Sequence, residues 1–316
     1  MIRGLAGRKK NGGDAAPGAV VVTVGGGRTG EAPHAGPVDD TSPAHVTFDG
    51  VSKVFGDVTA TAAVTALEDV SFTVGSREFL AIVGPSGCGK STVLNILAGL
   101  DAPTSGRVLV HDEEIPERRG RFGYMFQKDL LFPWRTIVDN VALGLEVRGA
   151  SVRDRRARAR ALLNRFGLAR FADKYPAQLS GGMRQRAALM RTLLSDADCL
   201  LLDEPFAALD ALMRSVMQEW LLSIWEREHR TVVFITHDIE EAVFLSDRVL
   251  IMSARPGRIK DAFDVPLERP RDHRIVTSEA FTRLKGRVLE QIHDESLLAD
   301  DDLRTSDRGR PGQVTP

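Results

Sequence analysis

Hydrophobic and polar positions divide the chain into stretches of different rhythm. Residues 1–44 are rich in Gly, Ala and Pro and keep no hydrophobic period, so they are expected to form a disordered tail. A run at residues 20–24 is followed by Gly25, Gly26 and Gly27 and is discounted as a strand. Apolar and polar positions alternate over residues 45–48 and 66–74, which predicts two strands. Longer apolar runs follow at residues 79–83, 199–203, 231–236 and 248–252, each of strand length. A helix is predicted from Lys90 to about Leu100. Residues 135–197 read as mainly helical, with leucines at helical spacing in the Arg-rich stretch 152–167. A further helix over 278–294 places Phe281, Leu284, Val288, Leu289 and Ile292 along one side. From Ala299 onward the polar end is expected to be disordered.

Strands alternating with helices predict an α/β fold with a mainly parallel sheet core, an antiparallel β subdomain and a helical insertion. The expected division is a tail over 1–44, a domain over 45–273 with its insertion at about 128–197, a helical extension over 274–296, and a tail over 297–316. The sequence has no internal repeat.

Charge and cysteine content narrow the function classes. Of 316 residues, 42 are Lys or Arg and 43 Asp or Glu, a formal net charge of −1. This leaves no global basic field for a nucleic-acid partner. The two cysteines, Cys88 and Cys199, are too few for a disulfide framework and suit a reducing compartment. No run approaches the roughly 20 apolar residues that span a bilayer, and the charged start leads into no signal-peptide core. A cytoplasmic protein is expected.

Chemistry enters with Gly84, Pro85, Ser86, Gly87, Cys88, Gly89, Lys90 and Ser91, which match G-x-x-x-x-G-K-[ST] between a predicted strand and a predicted helix, with Thr92 following. The glycines let backbone N–H groups turn inward around phosphate oxygens, and the helix N-terminus adds partial positive charge. Lys90 would bridge the β- and γ-phosphates and Ser91 would offer a hydroxyl to Mg²⁺. Cys88 admits a redox reading, because a helix N-terminus lowers a thiol pKa. The reading as a small residue that fits the loop is preferred.

Downstream, the apolar run from Cys199 ends in Asp203, Glu204 and Pro205. Asp203 at a strand tip would hold Mg²⁺ through water, and Glu204 would take a proton from attacking water. Leu179, Ser180, Gly181, Gly182 and Met183 then form a second phosphate-binding surface at a helix start. One chain needs one such surface for its own nucleotide, so a second implies a site shared between chains.

With this L-S-G-G-M segment the sequence closely resembles the ABC ATPase family over about residues 45–260. The resemblance implies a P-loop NTPase of ABC type, in which two cassettes pack head to tail and each signature completes the other's ATP site. On that resemblance Gln127 is the glutamine-loop residue that reaches Mg²⁺, Ala208, Leu209 and Asp210 form the D-loop, and His237 is the switch histidine at the γ-phosphate. Phe55 matches the aromatic that stacks on adenine, although residues 57–65 lengthen the usual spacing. ATP and Mg²⁺ are the implied cofactors.

Three details resemble the nitrate, sulfonate, taurine or bicarbonate importer branch: Met183 in the signature, residues 130–134 ending in Phe132, Pro133 and Trp134, and residues 254–259 followed by 266–270. Phe132 and Trp134 are expected to help form the cleft that receives a permease helix. The β-barrel regulatory domain of sugar-type importers is expected to be absent. The Arg-rich segment 153–160 is read as a solvated helix face. The implied partners are a second cassette, an integral-membrane permease and, indirectly, an extracytoplasmic solute-binding protein, with the chain at the cytoplasmic face of the membrane. An exporter or lipoprotein-release ATPase is the alternative, and a soluble ABC ATPase of DNA repair or translation a remoter one.

Overall fold

Ala44 opens the first strand, one residue inside the segment expected to be a tail. The computed structural model describes residues 44–56, 63–114, 118 and 120–292. The tail over 1–43, the run at 20–24, residues 57–62 and the polar end beyond 292 lie outside the described residues.

The first half of the chain forms β1 (Ala44–Phe55), β2 (Val64–Gly75), β3 (Phe79–Val83), α1 (Lys90–Leu97), β4 (Ser105–Val110), β5 (Glu113–Glu114) and β6 (Phe122–Met125). A helical stretch follows, with α2 (Ile137–Val141), α3 (Leu143–Val147), α4 (Val152–Arg165) and α5 (Gly181–Leu193). The rest alternates: β7 (Cys199–Asp203), α6 (Ala211–Glu228), β8 (Thr231–Ile235), α7 (Ile239–Leu245), β9 (Arg248–Met252) and β10 (Ile259–Asp264). A last helix, α8, covers residues 279–292.

Two sheets result. One is antiparallel, in the order β2-β1-β4-β5. The other has six strands in the order β10-β9-β3-β8-β7-β6, parallel except for β10 at its edge. Strands β3, β7 and β8 are buried along their whole length, which explains their unbroken apolar runs. Strands β1 and β2 outrun the short alternations that predict them. Irregularities in their pairing after Phe48 and Val51, with Gly50 at φ 59°, absorb the breaks in the pattern.

Successive residues of the central strands face opposite layers. Leu80, Ile82, Leu201, Val233 and Leu250 pack with α1 and the antiparallel sheet. Phe79, Ala81, Val83, Leu202 and Phe234 pack with the helices on the other side, including Phe281 and Val288 of α8. Ser278 accepts the Phe281 N–H at 3.2 Å and starts α8. Leu284 and Ile292 join this layer, but Leu289 does not; it is 54% exposed. At about 100° per residue Leu289 is turned some 80° from Phe281, outside the buried stripe.

Arginines play two distinct parts. On α4 they are tied by ion pairs at the surface: Arg155 with Glu146, Arg156 with Asp139, Arg158 with Asp196 and Arg160 with Asp173, while Ala159 and Leu163 face inward. Arg271 is buried instead, and its guanidinium donates to the carbonyls of Val243, Phe244, Ser246, Val265 and Leu267. It satisfies carbonyls at the end of α7 that the helix leaves unpaired.

Candidate active site

The candidate phosphate-loop residues and Gln127 follow the carboxyl ends of parallel strands β3 and β6, where ligands bind in open α/β sheets. β3 ends at Val83 and the chain turns through residues 84–89 into α1. Gly87 and Gly89 take φ of 77° and 105°, a left-handed backbone that a side chain would strain. A Cβ on Gly89 would also lie 2.7 Å from Leu67 Cδ2. Lys90 is buried, and its Nζ donates to Gly84 O at 2.7 Å, to Pro85 O at 2.8 Å and to Cys88 Sγ at 3.7 Å. Its ammonium thus lies inside the loop. Cys88 is buried and burial pushes its thiol up, against the opposing pull of Lys90. This is a small packed residue, not an activated thiol.

Strand β8, next to β3 in the sheet, and β7 beyond it bring the histidine and the acids. Asp203 is 4% exposed and hydrogen-bonds with the Ser91 hydroxyl; burial holds its carboxyl above the ordinary range, with Ser91 opposing. Glu204 turns sharply out of the strand at φ 47°, pinned by its N–H to Ile235 O at 2.9 Å. Its carboxylate accepts from Gln127 Nε2 at 3.2 Å and lies 3.2 Å from His237 Nδ1. Gln127 and His237, far apart in the sequence, therefore converge on one carboxylate.

Ser180 caps α5, accepting the Met183 N–H at 3.3 Å. Gly182 packs against the D-loop segment, where an added Cβ would lie 3.1 Å from Ala208 O. Asp210 caps α6 in the same way, accepting the Met213 N–H at 3.0 Å. Among the described residues, no hydrogen bond joins Ser180, Gly181, Gly182 or Asp210 to the phosphate loop. Phe55 closes β1, 42% exposed, with Lys53 Nζ 4.9 Å from its ring centre. Thr92 lies in the first turn of α1.

The site's donors suit a nucleotide with Mg²⁺. An added Cβ on Gly84 would lie 2.8 Å from Met252 O, so the turn requires glycine there, and buried Asp203 is the carboxylate bonded to Ser91. Mg²⁺ is usually held by one or two carboxylates plus substrate phosphates rather than by a protein cage. Ser91 and Asp203 are in contact, and Gln127 reaches the same corner through Glu204.

Phe132 and Trp134 stack with ring centres 5.1 Å apart, and Trp134 is 71% exposed, so it is not part of the core of the insertion. The loop that carries them is fixed. Buried Asn140 accepts from Phe132 N–H and donates to the carbonyls of Phe132, Arg135 and Thr136. From α5, Arg184 pairs with Asp129 at 3.0 Å, and Arg191 donates to the carbonyls of Asp129 and Leu130.

Sequence reasoning misses a group of residues around this site. Gln185 of α5 donates to Glu204 O at 3.3 Å. Arg214 of α6 donates to Leu209 O and pairs with Asp238 at 3.3 Å and Glu241 at 3.6 Å. Glu241 is 5% exposed, accepts from Thr236 Oγ1 at 2.6 Å, and is pushed up to about 7 by burial. Asp238 followed three residues later by Glu241 is a capping pattern that marks the start of α7 in sequence. Its link to Arg214 has no sequence signal.

Known proteins resemble this chain in sequence and fold. The family model described as ABC transporter matches residues 67–207. An uncharacterized ABC transporter ATP-binding protein of Methanocaldococcus jannaschii is 48% identical over 234 residues, 74% of this chain and 86% of that protein. The aliphatic sulfonates import ATP-binding protein SsuB of Bacillus cereus is 43% identical over 253 residues, 80% of this chain and 98% of that protein. Among solved structures, a dimeric post-hydrolysis state of the ATP-binding cassette MJ0796, bound to ADP and Pi, matches with a TM-score of 0.65 and 34% identity. The match covers 71% of this chain and all of that one, 100%. A phosphate loop, a carboxylate held between Gln127 and His237, and relatives matched over nearly their full length lead to one assignment: this chain belongs to the ATP-binding proteins of ABC transporters and is an ABC-type ATPase.

Proposed function

We propose that the chain is the ATP-hydrolysing subunit of an importer for a small anionic solute of the sulfonate, taurine or nitrate type, working as a pair of cassettes on a separate membrane permease. The observation that carries the catalytic part is the position of Glu204, whose carboxylate lies between Gln127 and His237 at the strand ends beside Lys90. Importer function draws support from the SsuB relative at 43% identity. In this reading the N–H groups of residues 84–92 and the Lys90 ammonium bind the phosphates, and Phe55 stacks on adenine. Glu204 accepts the proton of the attacking water, and His237 contacts the γ-phosphate. Mg²⁺, held by Ser91, Gln127 and Asp203, would supply neutralisation of phosphate charge. Ser180, Gly181, Gly182 and Asp210 complete the site of the second copy.

Coupling to the permease runs through one anchored loop. Gln127 stands at its start beside Glu204, and Trp134 stands exposed at its end. Arg184 and Arg191 tie it to α5, the helix that begins at Ser180. A displacement of the signature helix toward a partner's nucleotide would therefore carry Trp134 with it. The chain would sit on the cytoplasmic face of the membrane, with a solute-binding protein on the far side. Among the described residues no helix is long and apolar enough to cross a membrane.

Trp134→Ala tests this reading. Buried aromatic anchors at interfaces are worth about 2 kcal/mol or more. The variant should keep the isolated subunit's ATPase within about twofold of wild type, while co-purification with the permease weakens and uptake is lost. Undiminished co-purification and uptake would remove Trp134 from the docking surface.

A further inference from the structure

The hairpin between β9 and β10 reaches over the phosphate loop, and one of its side chains holds a single peptide plane there. Arg255 donates to the Gly87 carbonyl from Nε at 3.2 Å and from Nη2 at 3.0 Å. A peptide unit is planar and trans, so the Gly87 carbonyl and the Cys88 N–H point in opposite directions. Holding that carbonyl outward turns the Cys88 N–H into the ring of the loop, where it makes a long 3.4 Å bond to Pro85 O. Gly87, at φ 77°, has no Cβ to resist rotation of this plane.

The hairpin is itself built to stay in place. Ser253 Oγ accepts from Arg258 N–H and donates to Pro256 O, and Ser253 N–H donates to Arg258 O at 2.9 Å. Gly257 bonds both ways to β2, donating to Ala66 O and accepting from Glu68 N–H, each at 3.0 Å, and Arg258 pairs with Glu68 at 2.7 Å. Gly257 is also pressed onto the phosphate loop, since an added Cβ would lie 2.0 Å from Cys88 O.

We infer that Arg255 is a positioning residue of the nucleotide site, holding the Gly87–Cys88 peptide so that its N–H faces a bound phosphate. The inference rests on the reading of residues 84–91 as the phosphate cradle. Arg255 is exposed and lies outside both hydrophobic layers, so its removal does not disturb the core. Its contribution is to loop order, which ground state and transition state share. The effect therefore falls mainly on KM.

The test compares wild type, Arg255→Ala, Arg255→Lys and Gly257→Ala by steady-state MgATP hydrolysis, titration with a fluorescent ADP analogue, and thermal unfolding. Arg255→Ala should raise KM and the analogue's Kd about fivefold, with kcat reduced less than about twofold and Tm unchanged. Lysine can donate to the same carbonyl through one N–H, so Arg255→Lys should recover part of the affinity. Gly257→Ala forces the hairpin that carries Arg255 off Cys88 O and should weaken the analogue as Arg255→Ala does. An Arg255→Ala variant with wild-type KM and Kd overturns the inference, as does a loss of affinity that only follows a lowered Tm. Failure of wild type to bind the analogue would instead sink the phosphate-cradle reading, and this inference with it.

Discussion

Glu204 lies at φ 47°, in a left-handed conformation that costs a side-chain residue about 1–3 kcal/mol. The turn swings its carboxylate out of the strand to Gln127 and His237, while Asp203 one position earlier stays buried at Ser91. Two adjacent acids are thus given different environments, one wet and one dry. Glu204→Gln preserves the shape of this corner and removes the carboxylate proposed to accept the proton. It should bind ATP normally, hydrolyse it about 10²–10⁴-fold more slowly, and accumulate as a dimer on size exclusion with ATP and Mg²⁺. A variant hydrolysing within about threefold of wild type would take Glu204 out of the role of general base.

Glu241 allows a second test at this scale. Burial pushes its carboxyl from 4.5 up to about 7, opposed by Thr236, Arg214 and His237 and helped by Asp238. The folded state therefore binds this proton more tightly than the unfolded one. Stability from the neutral acid is fully present below about pH 4.5 and is lost as pH rises through about 7. Glu241→Gln stays neutral throughout, and its Tm should fall less than that of wild type between those two values. Parallel Tm–pH curves would mean that Glu241 is ionised in the folded protein across this range.

Among the elements, the segment from Gln127 to Thr136 has no helix or strand of its own, yet it is fastened at both ends. Asn140 makes four hydrogen bonds to it from a fully buried position, and Arg184 and Arg191 hold it from α5. Asn140→Ala leaves one buried N–H and three carbonyls without this partner, each unsatisfied group costing about 1–3 kcal/mol where water cannot replace it. The variant should unfold several degrees earlier and lose permease binding together with Trp134→Ala, while its affinity for the ADP analogue stays near wild type. Thermal denaturation and co-purification check this. Unaltered permease binding would show that loop order is not what presents Trp134. The apolar residues of this segment are readable in sequence. Which of them faces water is not, because exposure of Trp134 and burial of Leu131 follow from how α2 and α5 close behind the loop.

At the scale of the whole molecule, every candidate site residue lies within residues 44–292. Removing residues 1–43 should leave ATPase activity within about twofold of wild type, since that segment carries no nucleotide-binding motif and no periodic apolar face in its sequence. A truncated protein that folds but fails to hydrolyse ATP would assign that segment a part in catalysis.

The sequence by itself determined the contiguous features of this protein. The phosphate loop, the strand ending in Asp203 and Glu204, and the capped start of α5 are each short and local. Their chemistry depends on neighbours one to eight residues away, so spacing alone reveals it. The central parallel strands also announce themselves, because burial on two faces demands unbroken apolar runs, whereas β6 at the sheet edge, with alternating burial, does not. Tertiary structure decided the rest. The strand order β9-β3-β8-β7 sets the phosphate loop beside residues 236–237 on one side and the 253–258 hairpin on the other, although the Arg255–Gly87 contact alone spans 168 positions of the chain. Arg255 on Gly87 O, Arg214 between Asp238 and Glu241, and Gln185 on Glu204 O all follow from that order. So does the turning of Leu289 to solvent, since α8 buries only the stripe that the sheet layer beneath it can cover. Long-range pairing is chosen by the fit of whole surfaces, and no local run of residues encodes which surfaces will meet.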